Sequence, residues 1–146
     1  MAFRFSLDTL LDFREALERR ELLALEKAQQ EVLGIEVQLR GVQRDQSTIV
    51  ESRQSHLSRG MKACELQALV EAEVQLERRK NEITEALHKS TLMREECLAT
   101  YREIRRKREL LEKLRSRKLA EYTREQSQAE QRRIDDVYLS QRKRTQ

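Results

Sequence analysis

The sequence predicts an all-α protein, a long antiparallel two-helix coiled-coil hairpin whose second helix projects past the first. Three observations support this fold class. Of the 146 residues, 38% are charged and 4% aromatic. The chain contains 3 Gly and no Pro, which excludes sandwiches, barrels and βαβ folds because they need many turns. Apolar residues also recur at alternating steps of 3 and 4, the pattern of packed helices.

Helix one is expected over residues 3–58, where the apolar residues keep heptad spacing. Its predicted seam contains Leu25, Ala28, Val32, Ile35, Leu39, Val42, Gln46, Ile49, Arg53 and His56. An upstream stripe contains Leu7, Leu10, Phe13 and Leu17. Because the two stripes are out of phase, we expect a stutter near Glu21. Gly34 and Gly41 are expected to be helical, each costing about 1 kcal/mol relative to Ala.

A turn is expected at residues 59–63, because Gly60 is the best helix break available and Gly adopts the left-handed conformation that ends many helices. Helix two is expected over residues 64–140. Its predicted seam contains Leu66, Leu69, Glu73, Leu76, Lys80, Ile83, Leu87, Ser90, Arg94, Cys97, Tyr101, Ile104, Arg108 and Leu111. Residues 1–146 are therefore expected to form a single elongated domain.

The hairpin also predicts which residues face each other. If the turn centres near residues 60–61, the numbers of facing residues sum to about 121. Phe3 and Phe5 then lie near Arg117 and Lys118, and helix two extends ~40 Å past helix one. The projecting segment still carries apolar residues, namely Leu119, Tyr122, Ala129, Ile134, Val137, Tyr138 and Leu139. Since a lone helix cannot bury them against its own chain, its end either frays or inserts into another molecule.

The net charge of +4 is concentrated in the last third of the chain. Residues 1–60 carry 9 basic and 10 acidic residues, whereas residues 99–146 carry 15 basic and 8 acidic residues. Glutamates lie among these basic residues and aromatic stacking platforms are absent, so nucleic-acid binding is not expected. An acidic protein surface is favoured as the partner of the distal basic segment.

The residue pattern predicts no enzyme, metal or cofactor. The soft metal ligands are His56, Cys64, His88 and Cys97, and their spacing along a helical rod keeps them apart. Phosphate-binding and zinc-protease motifs are missing. The two cysteines indicate a reducing compartment, and neither a secretory signal nor a membrane span is recognisable. We therefore expect a non-enzymatic cytoplasmic protein that does not insert into a membrane.

Several stretches of the chain together carry a resemblance. Residues 3–14 read FRFSLDTLLDFR, residues 22–28 read LLALEKA, and residues 109–114 and 131–136 read ELLEKL and QRRIDD. This pattern resembles the FliJ family of flagellar export proteins, whose members begin with F-x-F-x-L-x-x-L-L-x-x-R. The family has an Asp-Glu pair more often than the Asp135-Asp136 pair found here. The resemblance spans nearly the whole chain.

The resemblance implies a non-enzymatic coiled-coil stalk of the bacterial flagellar type III protein export apparatus. The two chain ends are expected to insert into the hexameric export ATPase FliI and to promote assembly and activity of its ring. The opposite part of the hairpin is expected to contact the cytoplasmic region of the export gate protein FlhA and to bind export chaperones. The ATPase regulator FliH is a further candidate partner. Such a protein is peripherally associated with the inner face of the cell membrane through the export apparatus.

Two sets of residues are expected to make these contacts. The ATPase-ring set contains Phe3, Phe5, Arg115, Arg117, Lys118, Tyr122, Arg124, Arg132 and Arg133. The gate and chaperone set contains Val70, Val74, Leu76, Ile83 and Leu87. Within the second set, Leu76 and Ile83 also fit the seam, so the other three are better candidates for exposed contacts. Phe3, Phe5 and Leu7 are expected to close the open end of the hairpin.

Three alternative functions stay open from the sequence. The equivalent stalk of a virulence-type type III secretion system has the same architecture but usually lacks the F-x-F-x-L opening. A generic coiled-coil scaffold would pair between two chains, and sedimentation would separate it from a hairpin. An RNA-binding helical hairpin would show a steep salt dependence of binding.

Overall fold

The computed structural model describes residues 3–144, with side chains described as far as residue 142. Two long helices pack against each other: α1 spans Asp8–Arg59 and α2 spans Ala63–Arg144. No strand occurs among these residues. The predicted all-α helical hairpin is therefore confirmed.

The observed helix bounds differ from the expected ones by a few residues. α1 begins at Asp8 rather than near residue 3, because the first helical hydrogen bond runs from the Leu11 N–H to the Leu7 carbonyl at 2.9 Å. The Asp8 N–H donates to the Phe5 carbonyl at 3.2 Å, which folds the preceding residues into a turn. α2 continues to Arg144, past the expected end at residue 140.

Gly60 ends α1, as the sequence predicts. Its φ of 85° is the left-handed conformation that costs Gly little and other residues more. α2 begins three residues later at Ala63, and the Lys62 carbonyl accepts from the N–H groups of Glu65 and Leu66. The Glu65 carboxylate accepts in return from the Lys62 N–H at 3.3 Å, the reciprocal bond of a capping box. The short turn thus satisfies backbone groups that a helix start leaves unpaired.

The chain divides into two compact units, which we describe separately. The turn unit comprises residues 20–101, and the terminal unit comprises the described parts of residues 1–19 and 102–146. In the turn unit, Val32 and Ile83 are buried, and the predicted seam residues around them are half-buried. His56 is the exception: it is exposed because its ring bonds back to the Ser52 carbonyl of its own helix at 2.7 Å.

Two polar pairs set the register in the turn unit. Arg53 donates to Glu73 at 2.7 Å, and Gln46 donates to Glu77 at 2.7 Å. The residue numbers of these pairs sum to 126 and 123, whereas the sequence predicts about 121. The turn itself lies close to the expected place, between α1 ending at Arg59 and α2 beginning at Ala63, so the facing residues are shifted by more than the position of the turn.

In the terminal unit the upstream stripe predicted from apolar residues is partly wrong. Leu10 and Phe13 are exposed, whereas Leu11 is buried. Leu7, Leu11, Arg14 and Glu18 are buried or half-buried at steps of 4 and 3, and α1 keeps the same steps at Glu21 and Leu25 of the turn unit. Leu17 of the predicted stripe is half-buried as well, beside Glu18. The stutter predicted near Glu21 is therefore also wrong. Polar residues occupy three consecutive seam positions there. The apolar residues alone therefore suggest a shift of the heptad register, although the buried positions of α1 keep one register.

Candidate functional site

In the terminal unit an aromatic contact forms close to where α1 begins. Phe5 and Leu11 are buried, and the rings of Phe3 and Tyr122 lie with their centroids 5.6 Å apart at 51°. Tilted ring pairs at such distances are favourable beyond their buried area. Phe3 thus contacts Tyr122, four to five residues further along α2 than the expected neighbours Arg117 and Lys118.

Ion pairs link the two helices of the terminal unit just inside this contact. Arg108 occupies a half-buried seam position. Its guanidinium forms ion pairs with Glu18 of α1 and, at 2.6 Å, with Glu112 of α2. Burial lowers the pKa of Arg108, but the hydrogen bonds to Glu18 and Glu112 outweigh it and raise the pKa above its ordinary value. Arg115 lies 3.5 Å from Asp8, the first residue of α1. These pairs fix the register of α1 on α2 in this unit.

Beyond Tyr122, residues 123–142 of α2 are exposed throughout. Ile134, Val137 and Tyr138 line a shallow apolar strip, with Glu130, Arg133 and Gln141 at its edges. Leu139 is equally apolar but does not line the strip. Side-chain hydrogen bonds among the described residues of this segment run within α2, such as the one from Gln131 to Asp135 at 3.1 Å. The segment therefore presents an apolar surface that no other described residue covers.

The basic residues of the predicted ring contact fall into two groups. Arg115 pairs with Asp8, and Lys118 donates to Glu121 at 2.9 Å. The hydrogen bond to Glu121, with the charge of that carboxylate, raises the pKa of Lys118. The second group is exposed and forms no ion pair with any side chain that the structure describes: Arg117, Arg124, Arg132 and Arg133. This second group is available to an anionic partner.

Three further exposed basic residues, Arg102, Arg106 and Lys113, are not among the residues predicted from the sequence. Residues 102–124 contain ten basic residues, and five of them hold the ion pairs of this segment: Arg105, Lys107, Arg108, Arg115 and Lys118. The other five are exposed and form no ion pair within the described residues: Arg102, Arg106, Lys113, Arg117 and Arg124. Their spacing of 4, 7, 4 and 7 residues, visible in the sequence, would have shown that they share one helix face.

The predicted gate and chaperone residues lie in the turn unit at different depths. Val70 and Val74 are exposed, Leu76 and Leu87 are half-buried, and Ile83 is buried. Val74 lines a shallow groove with Val50 of α1, among Gln46, Glu73 and Glu77. Val70 and Val74 are therefore the members of this set with exposed apolar surface, whereas Ile83 packs in the core.

The terminal and turn units offer no cluster of three or more His, Cys, Asp or Glu side chains arranged for a metal ion, within the residues described. Cys64 is exposed and Cys97 half-buried, and both are free thiols. Over the same described range, no helix is long and apolar enough to cross a membrane.

Comparison with known proteins identifies the family. The sequence model of the flagellar FliJ protein family matches residues 3–146, essentially the whole chain. No curated protein and no solved structure matches it. The match agrees with the two packed helices and with the aromatic opening that begins at Phe3. The chain therefore belongs to the FliJ family and is a coiled-coil protein of flagellar protein export.

Proposed function

We propose that this protein is the non-enzymatic stalk of the flagellar export ATPase, with the projecting segment of α2 inserted into the ring formed by FliI. The observation that carries the proposal is the exposed strip of Ile134, Val137 and Tyr138, which no described part of the chain covers. An apolar helix face without a partner is favourable only when another molecule buries it. A ring whose inner wall contacts this face of the helix would provide that burial.

The attachment of α1 to α2 in the terminal unit supports the same proposal. The ring of Phe3 contacts Tyr122, and Phe5 and Leu11 are buried nearby in sequence, which supports a firm attachment of the start of α1 to α2 where the projecting segment begins. A shaft requires a rigid base of this kind. In the proposal, Arg117, Arg124, Arg132 and Arg133 attract an acidic ring lining, because exposed charges accelerate association without requiring one register.

The turn unit is proposed to serve the other partners. Val70 and Val74 offer exposed apolar surface for the cytoplasmic region of FlhA or for export chaperones, and Leu76 and Leu87 are half-buried. Ile83 contributes through packing because it is buried. FliH is proposed as an additional partner at the ATPase, and the protein is proposed to act in the cytoplasm at the inner face of the cell membrane.

The proposal is tested by titrating the protein into the export ATPase of the same organism while hydrolysis and ring formation are measured. A truncation after Ser127 is the informative variant, because it removes the apolar strip and keeps Tyr122, the partner of Phe3. Full-length protein should promote rings and raise hydrolysis, and the truncation should do neither. Stimulation that survives the truncation would contradict insertion of this segment.

A matched pair of single substitutions refines the test. Ile134 and Leu139 are both 56% exposed, but only Ile134 lines the strip. Ile134→Gln should weaken the affinity for the ATPase by about 10- to 100-fold, the value of one buried aliphatic side chain. Leu139→Gln should leave the affinity nearly unchanged. Equal losses for both variants would mean that the strip is not the contact.

A further inference from the structure

The outer face of α2 in the terminal unit carries a stripe of unpaired positive charge. We call it the basic stripe; it consists of Arg102, Arg106, Lys113, Arg117 and Arg124, all exposed. At 3.6 residues per turn these five positions fall within about 60° of the helix circumference and extend over ~33 Å of its length. The half-buried seam positions Ile104 and Leu111 lie on the opposite face of the helix. The stripe therefore points away from α1.

The acidic residues of the same segment do not neutralise the stripe. Residues 102–124 contain four glutamates, and each is paired with a basic residue outside the stripe. The pairs are Glu103 with Lys107 at 2.8 Å, Glu109 with Arg105 at 2.9 Å, Glu112 with Arg108 at 2.6 Å and Glu121 with Lys118 at 2.9 Å. No residue of the stripe forms an ion pair with a side chain that the structure describes. Arg106 and Lys113 feel the charges of Glu103 and Glu109 only through space, so most of the positive charge of the stripe is left for a partner outside the chain.

We propose that the basic stripe binds the surface of an anionic phospholipid bilayer. A flat surface contacts a cylindrical helix along one narrow line parallel to the helix axis. The charges of the basic stripe follow such a line. Clusters of 4–8 Lys and Arg on one helix face are typical of binding to anionic lipid, with each residue contributing roughly fivefold in affinity. Leu110, which is exposed among these residues, offers an apolar side chain to the headgroup region.

Other macromolecules fit the stripe less well. The centre of a protein interface is depleted of charged residues and enriched in aromatic ones, whereas the stripe consists of five long cations without an aromatic side chain. Single-stranded nucleic acid is usually held by aromatic stacking as well as charge, and that second component is missing. The inference does not depend on the proposed stalk function, although Arg117 and Arg124 belong to both sets.

The test is cosedimentation of the full chain with vesicles of phosphatidylcholine, with and without phosphatidylglycerol. The stripe variant is R102Q/R106Q/K113Q, which leaves every residue of the predicted ring contact intact. The control variant is R40Q/R44Q/R78Q, which removes three exposed basic residues of the turn unit and lowers the net charge equally. Wild-type protein should bind only the anionic vesicles. The stripe variant should bind them about a hundredfold more weakly, and the control should bind like wild type.

Three results would overturn the proposal. The first is an equal loss of vesicle binding in the stripe variant and the control variant, which would show that binding depends on the net charge of the protein. The second is binding that is the same for neutral and anionic vesicles. The third is that the wild-type protein does not bind vesicles but binds single-stranded RNA, and that the stripe variant loses this RNA binding. Circular dichroism of each variant checks that the helices are intact, and stimulation of the export ATPase, measured in parallel, reports separately on the stalk function.

Discussion

At the scale of single residues, position in the heptad decides burial more than hydrophobicity does. Leu10 and Leu11 are neighbours of identical chemistry, yet Leu10 is 39% exposed and Leu11 only 2%. Arg14 and Glu18 are charged, yet both are half-buried at seam positions. The seam of the terminal unit is therefore defined by geometry, and its stability depends on a small number of apolar residues.

The neighbouring leucines give a direct test of this register. Leu11→Ala should lower the free energy of unfolding by about 2–4 kcal/mol, since it removes a buried side chain and leaves a cavity. Leu10→Ala should change it by less than about 1 kcal/mol, because the side chain is partly exposed and Ala favours helix. Urea unfolding followed by circular dichroism measures both. A larger effect at Leu10 would place the seam where the apolar stripe alone predicted it.

The half-buried pair of Arg108 and Glu18 provides a second test at this scale. Arg108→Leu alone should destabilise the protein by about 2 kcal/mol, because Glu18 loses its partner in a half-buried site. The double variant E18L/R108L should recover most of that loss, since apolar residues at facing seam positions replace buried ion pairs well. Thermal unfolding of R108L, E18L and E18L/R108L measures the coupling between the two residues. Additive losses would show that the pair does not interact.

At the scale of the helices, the three glycines separate into two kinds. Gly60 has a φ of 85° and ends α1, whereas Gly34 and Gly41 lie inside α1 with open space where a Cβ would stand. Backbone conformation, rather than available room, therefore distinguishes them. The turn depends on Gly60. Gly34 and Gly41 lower the stability of α1 at positions where a side chain would fit.

Alanine at Gly60 and alanine at Gly34 or Gly41 should therefore change the stability of the hairpin in opposite directions. Gly60→Ala should destabilise the hairpin by about 1–2 kcal/mol, because a side chain disfavours the left-handed conformation. Gly34→Ala and Gly41→Ala should each stabilise it by about 1 kcal/mol. Melting temperatures of the three variants measure this, and stabilisation by Gly60→Ala would contradict the turn described above.

Ion pairs along α2 make its stability depend on pH. Hydrogen bonds from Lys89, Lys107 and Arg105 lower the pKa of Glu85, Glu103 and Glu109 from the ordinary value of 4.5. A carboxyl whose pKa is lower in the folded state stabilises the fold above pH 4.5 and loses that contribution as the pH falls through the lowered pKa.

The melting temperature should therefore decrease between neutral pH and about pH 3. In the variant E85Q/E103Q/E109Q the decrease should be smaller, because three of the responsible carboxyls are absent. Thermal unfolding of both proteins across this range measures the difference. A melting temperature of the wild-type protein that is constant or rises towards acid would contradict this assignment.

The helices could be predicted from the sequence, but the terminal register could not. The heptads from Leu25 to Arg53 and from Leu66 to Leu111, together with Gly60, were sufficient for the turn unit and for both helices. The seam at Arg14, Glu18 and Glu21 was missed, because charged residues carry no apolar signal and are paired only once α2 is beside them. For the site, the sequence indicated the projecting apolar residues, whereas the division of basic residues into paired and unpaired requires side-chain contacts.

At the scale of the whole molecule, each unit has a feature of its own. The terminal unit has the contact between Phe3 and Tyr122, the projecting apolar strip and the basic stripe. The turn unit has the exposed valines Val70 and Val74 beside a polar-lined groove. Exposed apolar side chains are thus present in both units.

Hydrogen exchange of the full-length protein, with and without the export ATPase, is the most direct test of the central claim. Without the ATPase, the backbone amides of residues 123–142 should exchange rapidly, because no described residue covers this part of α2. With it, protection should rise in this segment first and most, as its apolar strip becomes buried. Protection that rises only in residues 20–101, or exchange in 123–142 that the ATPase leaves unchanged, would contradict insertion of the projecting helix.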